Sequence, residues 1–277
     1  MKKKKYDTYL KGVLYIMNRI KRIFLIILSF IFVIVSFWVY LKHEQTQNNK
    51  IEVLQNKIEK LLTKLTSSDI QWREDSFNYL AIGNSITKHG ICDYWWNEVG
   101  MAASNSQHDY YHLVFKDLKE KKEVVKSYAV NFSIWETQSA DRAETLEVIE
   151  PYLDKKLNLV TIQLGENAVD LNTFQKDYVS LINYIKNASP NAQIIIVGDF
   201  WNYQERDIMK KEAADSCNVK YVNLDEIKDN SEYQCGLGTV VYDTEGNGHT
   251  VEHDGVAKHP NDKGMLYIAN AIINSID

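Results

Sequence analysis

The sequence predicts an α/β body: a parallel sheet of about five strands with helices on both faces. Three observations predict it. Short apolar runs alternate with helical patterns from residue 77 to the C-terminus. The runs are mainly apolar rather than strictly alternating, as suits strands covered on both faces. Polar residues able to do chemistry follow the runs directly, where ligands of such sheets bind.

The elements come in order. Residues 1–22 carry eight basic side chains against Asp7 alone, a net +7, and read as a basic cytoplasmic tail. Ile23 to Leu41 are 19 residues without a charge, between Arg22 and Lys42. As a helix they would span roughly 28 Å, close to the hydrocarbon thickness of a bilayer. Trp38 and Tyr40 sit at the outer end, where amphipathic rings prefer the interface. Positive charge before the span predicts a single-pass protein with its N-terminus in the cytoplasm and its body outside. Ser36-Phe37-Trp38 offers no small-residue cleavage pattern, so an uncleaved anchor is expected rather than a signal peptide. Residues 42–70 form a stalk or linker. Within it Ile51, Leu54, Ile58, Leu61 and Leu65 keep 3-4 spacing, about two heptads, which could support self-association.

The body is expected to fill 71–277. Its strands are Phe77–Ile82, Val124–Val130, Leu157–Leu164, Ile194–Gly198 and a weaker Lys220–Asn223. Helical patterns cover about 106–120, 141–153, 173–188, 204–217 and 262–275. The net charge of −5 becomes −12 once residues 1–22 are set aside. So acidic a body is a poor nucleic-acid partner, because phosphate binding needs a basic surface. Cys92, Cys217 and Cys235 are odd in number and widely spaced, which argues against a disulfide framework and leaves room for one pair. No CxxC pair exists, so a zinc ribbon is excluded.

Four strand ends and one late loop hold the informative residues. They are Gly83-Asn84-Ser85, Asn131-Phe132-Ser133-Ile134-Trp135-Glu136, Gly165-Glu166-Asn167, Asp199-Phe200-Trp201 and the stretch from Asp254 to Gly264. A serine hydroxyl becomes a nucleophile when a base takes its proton, and histidine suits that task near neutral pH. Acyl transfer also builds charge on a carbonyl oxygen, which needs aimed N–H donors. Ser85 as nucleophile, His259 as base, and the Asn167 carboxamide with the Ser85 backbone N–H as donors meet these needs.

The order and wording of these segments resemble the SGNH, or GDSL-like, hydrolase superfamily over roughly residues 76–277. Its first block, a strand then G-D-S, corresponds to Ile82-Gly83-Asn84-Ser85. Its G-x-N-D block corresponds to Gly165-Glu166-Asn167-Ala168, and its D-x-x-H-P block to His259-Pro260. The resemblance implies a three-layer, flavodoxin-like sandwich and a serine esterase that works through an acyl-enzyme without a cofactor or metal. Four departures stand out. Asn84 replaces an aspartate and Ala168 another. The second block lacks its glycine, so a backbone N–H at Ser133 or at Gly100 is expected to complete the oxyanion hole. The family's acid position is Val256 here. Asp254 stands five residues before His259 and could orient it, as could a backbone carbonyl, leaving a dyad.

The expected activity is removal of O-acetyl groups from a surface or secreted polysaccharide by an enzyme anchored through 23–41. Trp95, Trp96, Trp135 and Trp201, with Glu166, are candidate substrate-binding residues, since aromatic faces suit sugar rings. An O-acetyltransferase with the same site is one alternative. A non-catalytic module of a polysaccharide-export complex is another. Glu136 and Glu166 could instead form a glycosidase pair, though that leaves Ser85 and His259 unexplained. His249, His253, His259, Asp243 and Asp254 fit no common zinc spacing.

Overall fold

The structure, a computed structural model, describes Lys42 and residues 70–277. The expected tail at 1–22, span at 23–41 and all but the ends of the stalk lie outside the described residues. No helix among the described residues is long and apolar enough to cross a membrane.

Five parallel strands form the sheet in the order β2-β1-β3-β4-β5. They are β1 (Phe77–Gly83), β2 (Val125–Asn131), β3 (Leu159–Gln163), β4 (Gln193–Val197) and β5 (Lys220–Val222). Side chains alternate across a strand, so β1 feeds two cores. Tyr79 and Ala81 pack in one, with Val114 and Leu118 of α1 (Tyr110–Lys121). Leu80 and Ile82 pack in the other. That second core also takes Phe174, Leu181 and Ile185 of α4 (Phe174–Ala188) and Ala213 and Ala214 of α5 (Gln204–Ser216). The last helix, α7 (Asp262–Ile273), closes the first core through Met265, Ile268 and Ile272. The result is helix, sheet, helix in three layers, as the strand pattern predicts.

Three features depart from the expectation. The helix foreseen at 141–153 is only α3 (Arg142–Thr145), followed by 3₁₀ turns at Leu146–Val148 and Glu150–Tyr152. Pro151 keeps an α-helix from running on to residue 153: it has no N–H and disfavours helical geometry in the residue before it. A short helix, α2 (Ser133–Thr137), follows β2 directly. An antiparallel pair, β6 (Val240–Tyr242) and β7 (Gly248–Thr250), lies outside the main sheet. It precedes a four-residue helix, α6 (Asp254–Ala257).

The strand order positions the site. From β1 the chain passes to β2 on one side, and from β2 it crosses to β3 on the other. The carboxyl ends of β1 and β3 are therefore neighbours at the point where the winding reverses, which opens a crevice. Ser85 follows the first end and Asn167 the second.

Candidate active site

Ser85 stands on a tight turn after β1. Asn84 makes the turn: its carbonyl accepts from the N–H groups of Thr87 and Lys88, each at 3.0 Å. Its Oδ1 accepts from the Ile86 N–H at 3.0 Å. Gly83 is required there, because a Cβ would lie 1.8 Å from Thr87 Oγ1 and 2.8 Å from the Gln163 carbonyl oxygen. The Ser85 carbonyl accepts from the Met101 N–H at 2.8 Å, which braces the turn from outside the sheet.

His259 arrives from the far end of the chain. A neighbouring segment holds its loop: the Cys235 N–H donates to the His259 carbonyl at 2.9 Å and the Gly236 N–H to the Ala257 carbonyl at 2.8 Å. Asn261 caps α7 through an N–H bond from Gly264, and the adjacent Asp262 accepts from the N–H and hydroxyl of Ser104. The imidazole of His259 is thereby aimed at Ser85, with Oγ and Nε2 2.8 Å apart. Its Nδ1 lies 2.7 Å from the Gly255 carbonyl. A carbonyl can only accept, so Nδ1 carries the proton and Nε2 presents its lone pair to the serine hydroxyl. His259 is only 8% exposed. Burial, helped by nearby His89 and His253 and opposed by the Gly255 carbonyl, pulls its pKa down to about 4.

Asn167 follows β3. The turn before it needs Gly165, whose φ is +139° and whose Cβ would lie 2.9 Å from Asp199 Oδ1. Asn167 Nδ2 donates to Glu136 Oε2 at 2.6 Å. An amide nitrogen has two N–H groups, so one remains for a ligand. Glu136 Oε1 also accepts from Asn84 Nδ2 at 3.0 Å, which ties the Asn167 turn to the Ser85 turn.

Several expectations are corrected. Asp254 does not reach His259: it starts α6 as an exposed residue, and the Gly255 carbonyl occupies the position an acid would take. The Ser133 N–H donates to Asn131 Oδ1 at 3.0 Å, so it is not open to an oxyanion. The Gly100 N–H donates to Asp109 Oδ2 at 3.0 Å in a buried contact and is likewise taken. Trp95 and Trp135, each 1% exposed, are core residues rather than cleft residues. Both Glu166 oxygens are engaged within the protein, by Asn84 Nδ2, Gln163 Nε2 and the Phe200 N–H, so Glu166 is not free for substrate.

Trp201 and Trp96 remain partly exposed. The Trp201 ring packs edge-on against the His259 ring, with centroids 5.0 Å apart, and its indole N–H donates to the Lys258 carbonyl. Trp96 stacks on His249, which pairs with Asp243. His253 stacks on Tyr94, and its Nδ1 accepts from the Gly255 N–H, capping α6.

Sequence reasoning allowed a backbone carbonyl behind His259 without saying which residue supplies it, and it missed the place of Glu136 beside Asn167. Glu136 was visible as a carboxylate inside an apolar stretch after a strand. Nothing local tells which amides it meets.

No protein-family model matches the chain, and no curated protein matches it. Solved structures do resemble it. An acetyl xylan esterase from Geobacillus stearothermophilus is 16% identical at a TM-score of 0.47, over 74% of this chain and 97% of that one. A two-domain esterase active on acetylated mannans is 15% identical at 0.45, over 73% of this chain and 48% of that one, so the present chain spans about half its length. A GDSL-like lipase from Bacteroides ovatus is 15% identical at 0.42, over 71% and 96%.

Proposed function

We propose that the chain is a serine esterase that removes acetyl groups from a polysaccharide outside the cell. One observation carries the reading: a serine hydroxyl 2.8 Å from a buried imidazole whose other nitrogen is held by a carbonyl. His259 Nε2 takes the Ser85 proton as Oγ attacks the ester carbonyl. The tetrahedral oxyanion meets the Ser85 backbone N–H and the free N–H of Asn167. His259 then gives its proton to the departing sugar oxygen, leaving an acetyl-enzyme. Water, deprotonated by the same nitrogen, releases acetate. A carbonyl steadies the imidazolium less than a carboxylate would, so this is a dyad.

The glycan part of the reading is supported by Trp201 against the His259 ring and by the Tyr94–His253 stack a few residues before it. Aromatic faces of this kind suit sugar rings. The outward placement rests on the basic tail and the apolar run of 23–41. The site geometry favours an enzyme over a scaffold, since a pure binding module has no use for a serine hydroxyl aimed at an imidazole lone pair.

Acetate released from an acetylated polysaccharide by the full-length protein in detergent is the expected result. Acetyl appearing on an added glycan acceptor in place of free acetate would point to the transferase instead. No reaction with either would contradict both. The pH profile is a separate test. His259 must be neutral to accept a proton, and its lowered pKa keeps it so in mild acid. The acid limb of kcat/KM is expected at about pH 4. A limb near 6.5, the ordinary histidine value, would show that the ring is not buried as described.

A further inference from the structure

The described residues hold a buried cluster of carboxylates beneath the candidate site. Asp199 is neutralised by Arg206 and Lys210, both within hydrogen-bond distance. Among the described residues no lysine or arginine bonds to Glu136 or Glu166, although Lys210 lies near enough to Glu166 to act on its charge. Instead both bond to one amide, Asn84 Nδ2, at 3.0 and 2.8 Å. Glu136 is 1% exposed, and its other partners are the N–H of Gly165 and both the carboxamide and the backbone N–H of Asn167. Asn167 itself is exposed, and a solvated asparagine on a turn would sample several rotamers. Its bond to a buried carboxylate selects one of them.

We infer that Glu136 is a positioning residue that fixes the Asn167 carboxamide so that its second N–H faces the oxyanion. The inference rests on the esterase reading. It also accounts for the amide at position 84, where the resembled family has an aspartate: a carboxylate there would stand as a third anion against Glu136 and Glu166. Asn84 supplies one donor group to both and ties the Ser85 turn to the Asn167 turn through the same carboxylate. Burial raises the pKa of Glu136, and the N–H groups of Asn167, Gly165 and Asn84 oppose that rise. Glu166 is pushed up to about 7 by burial and by Asp199, against the pull of Lys210.

The test is a double-mutant cycle on the full-length protein with an aryl acetate, using Glu136→Gln, Asn167→Ala and both together. Glutamine keeps the size and loses the charged acceptor. The expected result is a kcat lowered about 10- to 100-fold with KM within about twofold. Adding Glu136→Gln to Asn167→Ala is expected to cost nothing more, because the first acts through the second. Wild-type kcat in Glu136→Gln, or losses that multiply in the double variant, would overturn the inference and leave the esterase reading intact. Should Glu136→Gln fail to fold, Glu136→Asp carries the same cycle, since it keeps the charge and shortens the reach to Nδ2. Wild-type protein without turnover, or turnover that survives Ser85→Ala, would overturn the esterase reading and this inference with it.

Discussion

Replacing Ser85 by alanine lowers turnover of an aryl acetate by at least about 10³-fold. The proposed acyl-enzyme forms through this oxygen alone, and a methyl group leaves His259 Nε2 with no proton to take. The variant is expected to fold as the wild type does. Ser85 is half-buried, and the turn around it is made by Asn84, Gly83 and the Met101 contact, none of which uses the Ser85 side chain. The loss should therefore appear in kcat while the thermal midpoint moves little. Steady-state kinetics beside a melting curve separates the two. Retained turnover would mean that another group performs the attack.

Asn167→Ala is expected to lower kcat about 10²-fold with little change in KM. The carboxamide N–H gains strength only when the carbonyl oxygen becomes an oxyanion, so its removal raises the barrier more than it weakens substrate binding. The effect should be large because two other candidate donors are occupied: the Ser133 N–H by Asn131 and the Gly100 N–H by Asp109. That leaves the Ser85 N–H to carry the charge. Single-turnover acetylation measured against the wild type tests this. A change confined to KM would place Asn167 in substrate binding instead.

The sheet was legible because parallel strands covered on both faces are mainly apolar runs, and four of the five runs are long enough to stand out, even β2 at the edge with its Lys126 and Ser127. The weak fifth, KYV at Lys220–Val222, takes the edge beyond β4, where it can be short. The positions of Ser85, Asn167 and His259 were legible because each follows a recognisable local pattern. What surrounds them was not. The acceptor for His259 Nδ1 is a backbone carbonyl, and any residue type can supply one, so Asp254 stood out in the sequence while Gly255 did not. The tryptophans show a second limit. An aromatic ring suits a core and a cleft equally well, and only the fold separates buried Trp95 and Trp135 from partly exposed Trp201. Ser133 and Gly100 were reasonable N–H donors by position, but the partners that occupy them come from side chains of Asn131 and Asp109, whose directions depend on tertiary packing.

The most direct test of the central claim is covalent. A fluorophosphonate traps a serine oxygen whose proton is being withdrawn by a neighbouring base. Full-length protein treated with such a reagent, digested and sequenced by mass spectrometry is expected to carry one stoichiometric adduct on Ser85, and His259→Ala is expected to abolish it. An adduct on a different serine, or unmodified Ser85 in folded protein, would contradict the account.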